Sequence, residues 1–391
     1  MKIFKKSEWK KVKLGDICEV ITGNTPSKKI KEYWNKDEVP FITPPELKYE
    51  GINYITPNIY VSKIGAKQGR IIPKNSICVC CIGSLGKLGI LKEDAITNQQ
   101  INSLILKNKN VDLLYLYFYL KTIKNNLESI ASSTTVKIIN KSSFEKIEIS
   151  LPNLEIQKKI SKKLELLENN IDFRKNQLNY LKELNKSLFT RMFGDIKTNN
   201  KNWEIRKIED CILNNVKNID IKTNGEITYI DISSINNKEN IISSYKNYDN
   251  IREAPSRAKK ILTENDILIS TVRPALKNIA IFNKKKSELT IASTGFCVLR
   301  PKDTIDSKYI FEIIKSNNFT ETLIKKQIGA NYPAVSDRDI KSMKIPVPPI
   351  ELQNKFAERT EKIEKLKFEI EKSIEIAQNL YDSLISKYFD N

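Results

Sequence analysis

Histidine is missing altogether from the 391 residues. That removes the commonest general base and the commonest metal ligand, so most hydrolase and metalloenzyme chemistry has nothing to stand on. No apolar run reaches the length of a spanning helix, and residues 1–11 lack the apolar core of a signal peptide. A cytoplasmic chain without membrane insertion is therefore expected. Cysteine is sparse: Cys18, Cys78, Cys80, Cys81, Cys211 and Cys297, with no C-x-x-C pair. Buried reduced thiols fit these six better than zinc ligands or disulfides. What the chain has in excess is positive charge, 66 Lys and Arg against 47 Asp and Glu, for a formal net charge of +19. Solubility needs less than this, and the surplus suits a polyanion or an acidic membrane surface.

The clearest periodic pattern lies in Leu154–Phe193. Apolar residues recur at Ile160, Leu164, Leu167, Ile171, Leu178, Leu181 and Leu188, alternating steps of four and three, with Arg174 and Asn185 as the breaks. This is the seam of a coiled coil. The chain repeats it 196 positions on, at Phe356, Thr360, Ile363, Lys367, Ile370, Ile374, Ala377, Tyr381 and Leu384, within Ile350–Phe389. Pro152 and Glu155, then Pro348 and Glu351, stand where a helix tolerates proline and its dipole favours an acid. Gly194 follows the first stretch as a stop. Each helix should be roughly 60 Å long at about 1.5 Å per residue, more than a small core requires. The two are read as spacers that pair with each other. Arg174, Asn185 and Lys367 are read as register setters, the other reading being contacts to a docked partner.

The remainder is duplicated too. The run from Trp9 to Ile17 restarts at Trp203, 194 positions later, and Tyr309 to Lys315 parallels Tyr115 to Lys121 as a short apolar helix. The expected organisation is a head at 1–150, a long helix at 151–194, a second head at 195–346 and a second long helix at 347–391. Candidate strands in the heads are 17–22, 77–82 and 101–106, then 227–231, 267–271 and 296–299. The fold class is α+β: two tandem α/β domains separated by two long antiparallel coiled-coil helices, a pseudo-two-fold internal repeat. Such an axis would set the heads at opposite ends of the helices.

Thr22-Gly23-Asn24-Thr25-Pro26-Ser27, then Tyr33-Trp34 and Val39-Pro40-Phe41-Ile42-Thr43, resembles the opening of a target recognition domain of type I restriction-modification specificity subunits. Gly83-Ser84-Leu85-Gly86-Lys87, and the runs Leu151-Pro152…Glu155-Ile156-Gln157 and Val347-Pro348-Pro349-Ile350-Glu351-Leu352-Gln353, are similar to that family as well. The second head departs from it, with Val272-Arg273-Pro274-Ala275-Leu276-Lys277 in place of the Gly-rich turn. The resemblance implies a non-catalytic reader of double-stranded DNA, each head contacting half of a split target and the helices fixing the gap. It further implies two methyltransferase subunits docked on the helices and motor-nuclease subunits that join for restriction. S-adenosylmethionine, ATP and Mg would be used by those partners, with no cofactor or metal in this chain.

DNA contact needs cations for phosphates and planar donors or aromatics for base edges. In the first head the candidates are Thr25, Ser27, Lys28, Lys29, Tyr33 and Trp34 on one loop, Lys63, Lys67 and Arg70 on a Gly-punctuated segment, and Lys87 in the Gly-rich turn. Tyr33 and Trp34 have a plainer alternative, packing under their loop. In the second head the set is Arg252, Arg257, Arg273 and Lys277, with Tyr332 after Gly329. Arginine is scarce here, and its planar fork matches guanine.

No Asn/Asp-Pro-Pro-Tyr/Phe motif, P-loop or Gly-rich cofactor loop occurs; the nearest strings are Thr43-Pro44-Pro45-Glu46 and Val347-Pro348-Pro349-Ile350. Asp37 with Glu46-Leu47-Lys48 imitates a Mg-dependent PD-(D/E)-x-K nuclease, the first alternative function. A coiled-coil scaffold for acidic protein partners is the second, and it leaves the strand-rich heads unexplained.

Overall fold

The computed structural model describes residues 6, 9–131, 136–283, 289–329 and 333–389. Both long helices have the bounds that the heptads predict, Leu154–Phe193 and Ile350–Phe389. Asn153 starts the first, its Oδ1 accepting from Ile156 N at 3.0 Å. Gly194 ends it at φ +81°, where a Cβ would overlap the Asn200 side chain. That left-handed stop is the reason for glycine there.

The chain forms two compact units, Met1–Leu178 with Glu369–Asn391, and Asn179–Phe368. Each takes one head and part of both long helices. In the second unit, Phe189 and Phe193 meet Phe356 at ring-centroid distances of 5.5 and 5.3 Å. Four residues before Phe189, Asn185 Oδ1 accepts from Thr360 Oγ1 at 3.2 Å, four residues after Phe356. One chain rises as the other falls, so the helices are antiparallel. In the first unit Ile160, Leu164 and Ile171 share a core with Ala377, Tyr381, Tyr388 and Phe389. Buried Asn185 bonds across the seam as a register setter does. Arg174 bonds Asn170 one turn back on its own helix at 2.9 Å.

Each head is closed by an antiparallel strand pair that joins its first strand to its last. Lys10–Lys13 lies against Glu148–Leu151, and Glu204–Lys207 against Lys344–Val347. Inside the first head an antiparallel sheet runs in the order Cys18–Thr22, Ile101–Leu106, Ile77–Cys80, Leu88–Ile90. Its counterpart runs Ile279–Ile281, Ile267–Ser270, Phe296–Leu299. A parallel pair also recurs, Val39–Ile42 with Ile96–Thr97 and Ile227–Ile230 with Leu289–Ser293. The candidate strands form at these places, up to two residues shorter than expected. Lys246–Tyr248 and Ala258–Ile261 add flanking strands in the second head that the sequence pattern does not announce, because lysine and asparagine dominate them.

The short helices Leu113–Thr122 and Ser307–Lys315 are the other repeated element, and Tyr115, Leu116, Tyr117 and Phe118 are buried around the first. A glutamine in each long helix holds the start of its short helix. Gln157 Oε1 accepts from Asp112 N at 2.8 Å while its Nε2 donates to Pro152 O at 2.8 Å. Gln353 does the same to Asp306 N at 2.9 Å and Pro348 O at 2.7 Å. The head and the first turn of its helix are thereby one piece. All six cysteines are free and buried, and burial pushes the thiols of Cys18, Cys78, Cys81 and Cys297 up to about 12.

Candidate nucleic-acid interface

Thr22 lies opposite Asn102, and Asn102 opposite Val79. The strands ending at Thr22 and Cys80 therefore finish at the same end of the sheet, where Ile101–Leu106 begins. Loops 23–29, 81–87 and 98–100 leave from that end. Gly23 sits so close to residues 97–98 that a Cβ would overlap the carbonyl and hydroxyl oxygens of Thr97. This packing brings Thr25 onto exposed Gln99, Oγ1 donating to Oε1 at 2.6 Å. Segment 67–70 lies alongside. Asn24 Nδ2 donates to Gln68 O at 2.6 Å, and Arg70 Nη1 to Thr22 O at 2.6 Å. Thr25, Lys67, Gln68, Arg70 and Gln99 thus form one surface.

The structure sorts the remaining candidates of the first head. Trp34 is an anchor: its Nε1 donates to Ser27 O at 3.2 Å and its ring meets Phe41 edge-on at 5.3 Å. Tyr33 accepts from Ser62 N through its carbonyl at 2.9 Å, and a Cβ on Gly65 would lie 2.6 Å from that oxygen. The close approach around Lys63 is therefore to the protein's own backbone. Ser27, Lys28, Lys29, Lys63 and Lys67 are exposed. Lys87 follows a turn whose Gly83 and Gly86 both adopt φ +78°, and its ammonium lies 5.6 Å from the Tyr49 ring centroid, with Lys124 at 4.3 Å.

In the second head Thr271 N and Oγ1 both donate to Gly295 O at 2.9 Å, and Thr294 N donates to Arg257 O at 2.8 Å. Arg257 and the turn carrying Arg273 are thereby drawn to the matching end of the second sheet. Arg273 and Lys277 adopt φ +49° and +52° around the 3-10 turn Pro274–Leu276. Left-handed backbone at a non-glycine residue costs free energy, and such sites cluster where geometry serves function. Arg273 is exposed. Lys277 is committed elsewhere, its Nζ donating to Lys315 O at 3.0 Å and Asn317 Oδ1 at 2.7 Å, with burial pushing its pKa down. Arg252 is exposed on a turn, its N donating to Asn250 Oδ1 at 3.0 Å. Tyr332 lies outside the described residues.

Gln68 and Gln99 are absent from the candidates that the sequence alone suggests. The available signal is the amide run Asn98-Gln99-Gln100 immediately before a strand, since one side-chain amide can bond adenine N6 and N7 together. Arg300 shows the opposite case, an arginine used internally. It grips fully buried Asp266 with two bonds, Nε to Oδ1 at 2.8 Å and Nη2 to Oδ2 at 2.7 Å.

The nuclease alternative fails on Glu46. Its Oε2 accepts from Thr43 N at 2.9 Å and Thr43 Oγ1 at 2.8 Å, and its Oε1 from Asn58 Nδ2 at 3.0 Å. Both oxygens close a turn and hold a neighbouring loop, so Glu46 is a structural cap. The scaffold alternative fails on the heads, whose sheets and loop surfaces occupy most of both units.

Two strand-rich heads in tandem, each joined to a shared helix pair and each bearing cations at the loop end of its sheet, define a duplicated nucleic-acid reader. The family pattern of the type I restriction modification DNA specificity domain matches residues 6–183 and again 200–378, and the chain belongs to that family. It is 26% identical over 407 residues to the type I restriction enzyme MjaIX specificity subunit of Methanocaldococcus jannaschii, covering 97% of this chain and 92% of that one. It is 36% identical over 159 residues to the HindI specificity subunit of Haemophilus influenzae, covering 39% of this chain and 34% of that one. The fold is similar to that of the crystal structure of the type-I restriction-modification system S subunit from M. genitalium, at a TM-score of 0.62 and 16% identity, covering 100% of this chain and 98% of that one. No helix among the described residues is long and apolar enough to cross a membrane.

Proposed function

We propose that this chain reads a two-part DNA target, one half with each head, as the non-catalytic specificity subunit of a type I restriction-modification complex in the cytoplasm. The observation that supports this most is the repeated sheet end, where loops 81–87 and 271–277 leave matching strands, with exposed Lys28 and Lys29 on loop 23–29 at the first end and exposed Arg273 at the second. Phosphate contacts by Lys28, Lys29, Lys63, Lys67, Arg252 and Arg257 would position the duplex without reading sequence. Arg70, Gln99 and Arg273 are the side chains suited to base edges.

Partner docking follows from what the helices expose. The first unit presents Ile376 and Leu380, and the second presents Tyr180 and Leu184 at the matching positions 196 residues earlier. Isolated apolar residues are ordinary on a surface, but a repeated pair on each helix face marks a contact made twice. Two methyltransferase subunits fit that duplication, and motor-nuclease subunits would join the assembly. S-adenosylmethionine, ATP and Mg would serve those subunits.

Exchanging residues 1–150 for the corresponding head of another family member should change one half of the methylated motif and leave the other intact. Sequencing the methylated sites of the host reads this directly, and a change in both halves would overturn independent reading. Arg273→Ala should weaken discrimination at a single base pair of the other half by about 1–3 kcal/mol, measured by competition among duplexes substituted one pair at a time. A uniform loss across all duplexes would make Arg273 a phosphate contact instead.

A further inference from the structure

The duplication supplies its own control for a cleft in the second unit. Between the end of the first long helix and the turn joining Ser307–Lys315 to Asn317–Ile324 lies a cavity of about 600 Å³. Five ammonium groups line it: Lys182, Lys186, Lys197, Lys315 and Lys367. Its two carboxylates are already engaged. Glu312 Oε1 accepts from Lys315 Nζ at 2.9 Å and Asn185 Nδ2 at 3.1 Å, and Asp195 Oδ1 accepts from Lys197 N at 2.7 Å. Half-buried Lys367 has Lys315 and Lys182 as cationic neighbours and Glu364 and Glu312 as acidic ones, and burial pushes its pKa down. Cations packed this closely repel one another, which an incoming anion relieves.

In the first unit the matching place holds different side chains. Gln378 stands at the position of Lys182, Asp382 at that of Lys186 and Ile171 at that of Lys367, each at the repeat offset of 196. Buried Tyr381 occupies the place of Asn185, and Lys121, in the place of Lys315, is bound to Glu168 at 2.5 Å. One copy carries a glutamine, an isoleucine and an acid where the other carries lysines.

The cationic cleft also adjoins the candidate DNA surface. Lys277, in the turn that follows Arg273, donates to Lys315 O and Asn317 Oδ1 on its rim. Asn237 and Asn240 donate to Leu276 O and Lys277 O, and between them in sequence Glu239 pairs with Lys182 at 3.0 Å. We infer that this cleft is a phosphate-binding site that takes backbone phosphates of the DNA flanking the half-site read by the second head. The inference rests on the DNA-reading function proposed above. It adds a sequence-independent anchor on one side of the target only, so the two halves are held by unequal numbers of phosphates.

The test uses the full chain carrying K182Q/K186D/K367I, which installs the first copy's side chains at the matching positions. K186Q alone, at an exposed site, serves as the mild variant, and thermal unfolding reports folding for both. Binding to a labelled duplex is followed by fluorescence anisotropy over a salt series. The triple variant should lower the slope of log affinity against log salt by about 0.9 for each phosphate that the cleft ceases to neutralise, equally for every duplex sequence. A second arm titrates the DNA-free protein with pyrophosphate by calorimetry. An unchanged salt slope with loss of pyrophosphate binding in the variants would assign the cleft to free phosphate compounds and overturn the DNA source. No change in either arm would overturn the site itself. A slope lowered by the triple variant, in a protein whose wild-type form shows no sequence preference, would sink the reading of the heads while leaving the cleft standing.

Discussion

Lys121→Ala should cost the protein about 3–5 kcal/mol, enough to consume a large part of the stability of an ordinary domain. The Lys121 ammonium sits between the first head and the helix pair of its unit. It bonds Glu168 at 2.5 Å and Gly51 O at 3.3 Å, and lies 5.3 Å from the centroid of the Tyr381 ring. The two side chains of the pair are only 13% and 8% exposed. Removing the cation strands the Glu168 carboxylate away from water, with the neutral Tyr381 hydroxyl as its polar neighbour and no charge to offset its own. Removing both charges together is a different experiment. K121M/E168L exchanges a buried ion pair for apolar packing and should recover most of the loss. Urea unfolding of the single and double variants decides the matter. A Lys121→Ala loss below about 1 kcal/mol would mean that the pair behaves as a surface salt bridge, screened and weak.

Gly23→Val should abolish reading of the half-site assigned to the first head while leaving the other half read normally. No side chain fits where Gly23 lies against Thr97 and Asn98, because the obstructing atoms are mostly backbone oxygens. Overpacking of this kind costs about 1–3 kcal/mol or displaces the loop. Displacement would separate Thr25 from Gln99 and Thr22 from Arg70, dismantling the surface on which base contacts depend. Site-by-site methylation of the variant measures the outcome, and a motif that keeps both halves would show that loop 23–29 is not a reading element.

What could be read from residues alone follows the range of the forces involved. Heptad spacing announces both long helices, because a seam is a local pattern repeated many times, and the proline, acid and glycine signals beside it mark their ends. The runs at 77–82 and 267–271 announce buried strands by apolar continuity alone. Side-chain roles in the heads were less legible. Lys277 looks like a free cation until the fold delivers Lys315 and Asn317, some forty residues away, to its ammonium. Trp34 looks like a stacking platform until Phe41 and Ser27 claim it. Gln99 carries no periodic signal, and only the arrival of Thr25, 74 residues earlier in the chain, identifies its surface.

The paired strands that close each head have an evolutionary consequence. Lys10 faces Leu151 and Glu204 faces Val347, so the chain enters and leaves a head through one narrow neck of four residue pairs. Between those necks the two heads already differ in length by two residues, and the register of the neck is the same in both. Insertions and deletions inside a head are absorbed before the chain returns to its helix. A gene built this way can acquire a foreign head by recombination at two short, structurally uniform junctions, and new target sequences can arise by shuffling rather than by slow substitution.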